Sequence, residues 1–446
     1  MFASLSKTKA SRLEFEALTA LHAFPALYCP SNADGAANGP AAILDKIFRE
    51  ELRARLAAMS FLKRKLVTFI WPPAMVLWGL GLTAANGRFV ARHYSRSLFR
   101  QFADQMRLAF KQGIPVSFFY TYELHEPRNQ PHAREFVLRG HIKGGGQFYK
   151  RLYRGSPERK TSAAILNDKL AFHRFCSERN LPVAHLFALF QKGKIFWTEE
   201  RQRALPPTDL FFKPRRECGG TGAERWIYVD GRYRSHNGNC LDRDALTDRL
   251  IRLSRQQPYL VFECLANHHE IRDLSAGALS TLRMHTMLNE RGEVEHLFTM
   301  FRMSQFHQRI VDTADGIAAA VDPISGCLGR ASNSSMLARW HDHHPFSKGR
   351  ITGRRIPFWH DALKLAVSTH EQLGAPYIVG WDISITERGP TIIEANRAPD
   401  VEIEQRLDGP WGNGRFGELL VYHLTKAGRA AKAEPTQEAQ KVRQDA

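Results

Sequence analysis

Between residues 41 and 111 apolar positions recur every three or four residues, first in ILDKIFREELRARLAAMSFL and again in RSLFRQFADQMRLAFKQG. That is the period of one helix face, and Gly113 and Pro115 close the second helix. The pattern then changes: VSFFYTYEL reads as a strand or extended aromatic segment, and KGGGQFYKRLYRGS at 143–156 as a flexible joint. NDKLAFHRFCSERNLP predicts a capped helix whose Leu170, Phe172, Phe175 and Cys176 face a core. DLFFKP is a short strand, RRECGGTGAE a glycine-containing loop, and ERWIYVDGRYRS a hairpin turning at Asp230 and Gly231. PYLVFECL is a further strand, and STLRMHTMLNERGEVEHLFTMFRMS a hairpin about Arg291 and Gly292. HDALKLAVSTHEQLG repeats at helical spacing and stops at Gly374, with Pro376 beyond; GWDISITERGPTIIEAN is the last hairpin. Helices and antiparallel hairpins in succession predict α+β domains rather than a doubly wound parallel sheet.

The same pattern divides the chain. Residues 1–40 read as irregular, with a linker at SNADGAANGP; 41–160 as mainly helical; 161–425 as the α+β domain; and 426–446 as a disordered tail almost without large apolar residues. One uncharged segment, LVTFIWPPAMVLWGLGLTAA at 66–85, follows Lys63, Arg64 and Lys65 and is as long as the roughly 20 residues that span a bilayer. Pro72, Pro73, Gly79 and Gly81 argue instead for a turn followed by a buried helix, and an interfacial anchor is the rival.

Composition narrows the class. The 446 residues suit two or three packed units, and 63 basic against 45 acidic residues leave a charge of +18. These charges are scattered, without a basic block or an aromatic-interleaved basic helix, so of the partners a basic chain suggests, anionic lipid and a phosphorylated small molecule fit better than nucleic acid. The six cysteines lie far apart with no zinc-type spacing and read as reduced thiols in a cytoplasmic protein. No secretory signal is expected, because charges interrupt the first thirty residues.

Candidate chemistry sits in the last hairpin. A three-residue loop Glu387-Arg388-Gly389 with a bulge at Gly389 would pair Thr386 with Pro390 and set Asp382 opposite Glu394, with Asn396 on the same face. Two carboxylates with Cβ atoms about 5 Å apart repel unless a cation lies between them. Mg2+ would supply it, taking carboxylate and amide oxygens and leaving positions for phosphate. A solvated hairpin whose acids happen to align is the alternative. Lys213, followed by Gly219, Gly220 and Gly222, could surround phosphates with an ammonium and free N–H groups, or could begin a mobile surface loop. The strand ending at Glu263 could pair with an adenine edge and Glu270 with ribose hydroxyls. Arg283 and Arg302, on the two strands of one hairpin, could hold a phosphoryl oxygen.

Taken in order, Asp168-Lys169, Lys213 to Gly222, VFECL, TLR, His344-Pro345 with Gly349 and Ile356-Pro357, GWDI and IIEANRAP resemble the ATP-grasp superfamily, in its sugar-transfer-associated, alpha-L-glutamate-ligase-like branch. The resemblance covers roughly residues 160–425. It implies two α+β subdomains gripping ATP, with Lys169 and Lys213 on the phosphates and Gly219, Gly220 and Gly222 in the covering loop. It further implies Glu263 and Leu265 at the adenine, Glu270 at the ribose, Asp382, Glu394 and Asn396 as Mg2+ ligands, and Arg283 steadying the transferred phosphoryl group. The chain departs from the branch at Asp312 and Gly316, where a DN and a paired glycine are usual, at Cys218 within the glycine loop, and at Asp400, which falls near the metal. The implied activity is an ATP- and Mg2+-dependent carboxylate–amine ligase acting through an acylphosphate, in cell-surface polysaccharide or peptide modification. Its partners would be a small carboxylate and an amine or sugar-linked acceptor. A phosphotransferase of the same fold, or a nucleotide-binding scaffold at a membrane-associated polysaccharide assembly, is the alternative. The expected location is cytoplasmic, with peripheral membrane contact as a variant.

Overall fold

A computed structural model of the protein describes residues 39–428 apart from 144–146, 155, 217–220, 236–237, 306–315 and 375. The irregular start at 1–38, Gly219, Gly220, Cys218, Asp312 and most of the tail therefore lie outside the described residues.

Two antiparallel sheets carry the α+β architecture. With β2 (Lys194–Trp197), β4 (Glu224–Val229), β5 (Arg232–Ser235) and β6 (Cys240–Leu241) on its flanks, the smaller is ordered β2-β1-β7-β3-β4-β5-β6; with β10 (Gly316–Val321), β11 (Leu328–Asn333) and β12 (Trp340–His341) at one side, the larger is ordered β12-β11-β10-β9-β8-β13-β14. In the smaller sheet β1 (Leu186–Gln191), β7 (Tyr259–Glu263) and β3 (Leu210–Pro214) lie side by side at the centre. Phe190, Phe212, Trp226 and Val261 bury one face with Leu246 and Leu250 of the helix Arg243–Ser254. On the other face Leu186, Leu260 and Phe262 meet Leu170, the first apolar residue of the helix Lys169–Ser177. That helix is capped as its sequence predicts: Asp168 accepts from the N–H groups of Leu170 and Ala171.

In the larger sheet β8 (Thr281–Leu288), β9 (Val294–Ser304), β13 (Ile378–Thr386) and β14 (Gly389–Asn396) form the hairpins read from the sequence. The helix Trp359–Leu373 ends at Gly374, whose φ is +62°, and covers one face with Leu282, Phe301, Trp381 and Ile383. The opposite face is shared. Met287, Phe298 and Met300 pack with Leu419 and Leu420 near the C-terminus, and also with Leu44, Phe48 and Leu52 of α1 (Pro40–Ala57).

Three upstream expectations change. VSFFYTYEL forms a short helix, Phe118–Thr121, and turns rather than a strand; Phe118, Phe119, Tyr120 and Tyr122 are all buried, so no face is left for solvent and packing overrides aromatic strand preference. Within the supposed joint at 143–156, Phe148–Leu152 is helical with Phe148 and Leu152 fully buried. Residues 66–85 belong to α2 (Phe61–Tyr94), one helix that runs through Pro72 and Pro73. It is not the buried helix expected, since only 22% of its most apolar stretch is buried. It packs instead by one stripe on α3 (Leu98–Arg107), through Thr83 and Gly87.

Candidate functional site

The last hairpin reaches the predicted pairing by another route. Its turn has two residues, Glu387 and Arg388, so Thr386 pairs with Gly389 and Ile385 with Pro390. A bulge then leaves Ile393 without a partner, so that Ile383 faces Ile392 and Asp382 faces Glu394. The shorter turn and the extra residue cancel. The bulge also decides which way the acids point. Ile392 lies in the core with Ile383; in an unbroken strand Glu394 and Asn396 would follow it inward at the two-residue period. The extra residue reverses the alternation, and Ala395 joins the core while Glu394 and Asn396 join Asp382 on the other face.

Across the sheet Arg283 stands beside Asp382, and Arg302 lies opposite Thr281, two residues from Arg283 on β8. Arg283 donates from Nε to Asp382 Oδ1 at 2.8 Å and from Nη2 to Oδ2 at 2.9 Å, and Arg302 Nη1 lies 3.4 Å from Oδ1. Burial would push the Asp382 carboxyl up, but the two guanidinium groups outweigh it and hold it below its ordinary value. The positive charge demanded by two neighbouring carboxylates is thus supplied in part by arginine.

Glu394 and Asn396 are half-buried and make no side-chain hydrogen bond or ion pair among the described residues. Facing them from the smaller sheet is Lys213 at the end of β3. Its Nζ lies 3.4 Å from the carbonyl of the bulged Ile393 and 5.1 Å from the Phe262 ring centroid. Burial lowers the Lys213 pKa, Glu394 pulls it back up, and nearby Lys169 lowers it again. Lys169 opens its helix just after Asp168, which is bound by Arg215 at 2.7 Å and Arg216 at 3.3 Å. Gly222, at the far end of the glycine loop, has φ +73°, and a Cβ there would stand 3.0 Å from Pro214 and 3.2 Å from the Tyr259 hydroxyl, so a larger residue is disfavoured twice over.

The strand-end residues tie the sheets together. Glu263 Oε1 accepts from Arg388 of the hairpin turn at 2.7 Å and from the His185 N–H at 2.8 Å, so its side chain is engaged in structure. Leu265 is half-buried just beyond, and Glu270 is exposed on the short helix His269–Leu274, its carboxylate without an ion pair among the described residues. The His344-Pro345 and Gly349 motif is structural: His344 Nε2 donates to the Ser304 carbonyl at 2.8 Å, and a Cβ at Gly349 would meet Asp273 Oδ2 at 2.6 Å. Gly316, the remaining departure, begins β10.

Behind the arginines lies an acidic cluster of which sequence reasoning singled out only Asp400, placing it near the metal. Asp400 is held by Lys143 at 3.4 Å and Arg139 at 3.9 Å, both from the helical region upstream. On the short helix Glu402–Asp408, burial raises the Glu404 carboxyl to about 8, and burial with Asp400 raises Glu402 to about 7. His285 lies 3.7 Å from Glu404 yet forms no ion pair with it, because burial and Arg283 lower the imidazole to about 3 and both groups stay uncharged. Asp400, Glu402 and Glu404 are close in sequence, but only the packing of the upstream helical region and β8 against them brings Lys143, Arg139 and His285 to them, which no local spacing signals.

The donor set suits a hard cation. Glu394 offers a carboxylate, Asn396 an amide oxygen, and Asp382 the lone pairs that Arg283 leaves over. No curated protein matched the sequence. Among solved structures, D-alanine–D-alanine ligase from Bacillus anthracis aligns with a TM-score of 0.35 and 12% identity, over 61% of this chain and 71% of that one. An N5-carboxyaminoimidazole synthase from Aspergillus clavatus, in complex with ADP and 5-aminoimidazole ribonucleotide, gives 0.32 and 9%, over 58% and 53%. L-amino acid ligase from Bacillus licheniformis gives 0.31 and 12%, over 54% and 43%; the chain spans about half the length of these last two. The ordered motifs have a stronger counterpart in sequence: residues 147–410, more than half of the chain, match the sugar-transfer associated ATP-grasp family, and the protein belongs to it.

Proposed function

We propose that the protein is an ATP-dependent ligase that activates a carboxylate as an acylphosphate and passes the acyl group to an amine or similar nucleophile. The supporting observation is the convergence of Glu394, Asn396 and Asp382 from one sheet on Lys213 from the other, with Lys169 beside it at the start of its helix. In this reading a carboxylate oxygen of the substrate attacks the γ-phosphorus of ATP and ADP departs. The nucleophile then attacks the acyl carbon, inorganic phosphate leaves, and the nucleophile's proton is lost to solvent or a nearby base.

The residues contribute mainly charge and position, as phosphoryl transfer requires. Lys213 and Lys169 neutralise phosphate oxygens, and the lowered pKa of Lys213 reflects the desolvation that strengthens such contacts. Glu394, Asn396 and Asp382 would hold Mg2+, which would supply positive charge to offset that of the phosphates. Arg283 and Arg302 fix the rotamer of Asp382, and Arg283 would steady the transferred phosphoryl group. The N–H groups around Gly219, Gly220 and Gly222 would cover the phosphates, Glu263 and Leu265 would border the adenine, and Glu270 would accept the ribose hydroxyls. The acids and amines of cell-surface polysaccharide or peptide modification are the substrate class favoured, and the net charge of +18 suits an anionic acceptor.

Hydroxylamine added to the protein, MgATP and a panel of sugar acids and peptides should trap the acyl group as a hydroxamate, with one ADP and one free phosphate per hydroxamate. ADP formation with phosphate retained on the product would make the protein a phosphotransferase. ATP binding without ADP formation across the panel would make it a scaffold.

A further inference from the structure

We propose that α2 is an in-plane docking surface for a membrane carrying anionic lipid. The helix Phe61–Tyr94 has 34 residues, a length of about 50 Å, and contains no aspartate or glutamate. One stripe, Trp71, Met75, Gly79, Thr83, Gly87 and Val90, is buried against the protein. The other side is apolar and bare: Leu62 is 78% exposed, Phe69 72% and Leu77 69%, with Ile70 and Leu80 also open. Arg64 and Lys65 stand near one end of the helix and Arg88 and Arg92 near the other, all exposed and without an acidic partner among the described residues.

This arrangement selects its occupant. A soluble surface rarely leaves so many large apolar side chains on one helix side. A helix lying at the interface sinks such a face into the headgroup and acyl boundary, with its flanking cations level with the phosphates. A second copy of this chain is disfavoured, because antiparallel pairing would set Arg64 and Lys65 against Arg88 and Arg92 with no acid between them. A spanning orientation conflicts with the buried side: Gln101 donates to the Gly87 carbonyl at 3.0 Å and Gln105 to Thr83 Oγ1 at 2.7 Å, so the second half of the helix is tied to α3. The surface is separate from the nucleotide residues, and the inference stands independently of the ligase reading.

The test is co-sedimentation of the full chain with vesicles of phosphatidylcholine alone and of phosphatidylcholine with phosphatidylglycerol. The protein is expected in the pellet with the anionic vesicles only, and back in the supernatant after high salt or alkaline carbonate. The double variant Leu77→Asp/Leu80→Asp should partition at least about tenfold more weakly, with an unchanged circular dichroism spectrum. Arg88→Glu/Arg92→Glu, confined to exposed positions, should do the same and keeps the test decisive if the first variant misfolds. Wild-type protein that stays in the supernatant would overturn the proposal. So would resistance to carbonate, variants that bind like wild type, or a Leu77→Asp/Leu80→Asp change in oligomeric state without vesicle binding.

Discussion

Asp382 and Glu394 face each other across one hairpin, yet they differ in what their loss should do. Asp382 is buried and held bidentately by Arg283. Alanine at Asp382 would leave a buried guanidinium unpaired and is expected to lower stability by about 3–5 kcal/mol, read as a shift in urea midpoint. Asp382→Asn, which keeps an acceptor, should cost less. Glu394 has no such partner, so Glu394→Gln should leave the urea midpoint unchanged while ADP formation falls at least about a hundredfold. A parallel loss of stability and turnover in Glu394→Gln would show the residue to be structural. Glu404 gives a different signal. Its folded carboxyl keeps a proton up to about 8, whereas an ordinary one loses it near 4.5. Between those values the folded chain binds more protons than the unfolded chain, so this group makes stability fall as pH rises. Glu404→Gln should flatten that decline, measured as urea midpoints at several pH values across the window; an unaltered slope would contradict the assignment.

At the scale of elements, the hairpin shows what was legible and what was not. Alternation identified both strands, and the facing acids followed from counting, but the count assumed a longer turn. Turn length and bulge position depend on how Thr386, whose Oγ1 donates to the Gly389 carbonyl, and Ile393 fit their neighbours, and a one-residue choice reverses every side chain. The strands β10 to β12 and the helix Arg243–Ser254 escaped notice. The small residues of GIAAAV at β10 pack between two neighbouring strands and show no polar alternation to reveal them. The contact between sheets was equally hidden. Arg388–Glu263 joins the hairpin turn to the end of β7, and with the arginine 64% exposed its worth to stability should stay below about 1 kcal/mol. Arg388→Ala is therefore expected to barely move the melting temperature but to raise the KM for ATP, since it loosens the strand end assigned to the adenine. An unchanged KM would separate that ion pair from nucleotide binding.

For the whole molecule, the family match begins at residue 147, but the core does not. Leu44, Phe48 and Leu52 share one apolar cluster with Phe298, Leu419 and Leu420, and the Glu135 carbonyl accepts from the Gly412 N–H at 2.7 Å. The pattern of a mainly helical region followed by an α+β domain marks composition well, because period is local; it is blind to where apolar faces meet, which is not. We propose that residues 39–142 and the ATP-grasp segment fold as one unit. A chain beginning at 147 would bare that cluster and is expected to be insoluble or to bind a hydrophobic dye strongly, while a soluble, cooperative truncation would argue for independent domains.

In the ligase we propose, the bulged hairpin holds a divalent ion where Lys213 and Lys169 receive a triphosphate. Calorimetric titration with a non-hydrolysable ATP analogue, with Mg2+ and then with chelator, tests it without knowledge of the acceptor. Wild-type protein is expected to bind in Mg2+ and to lose at least about tenfold in affinity either on chelation or in Glu394→Gln. Equal affinity in all three titrations, or no binding by folded wild-type protein in Mg2+, would contradict it.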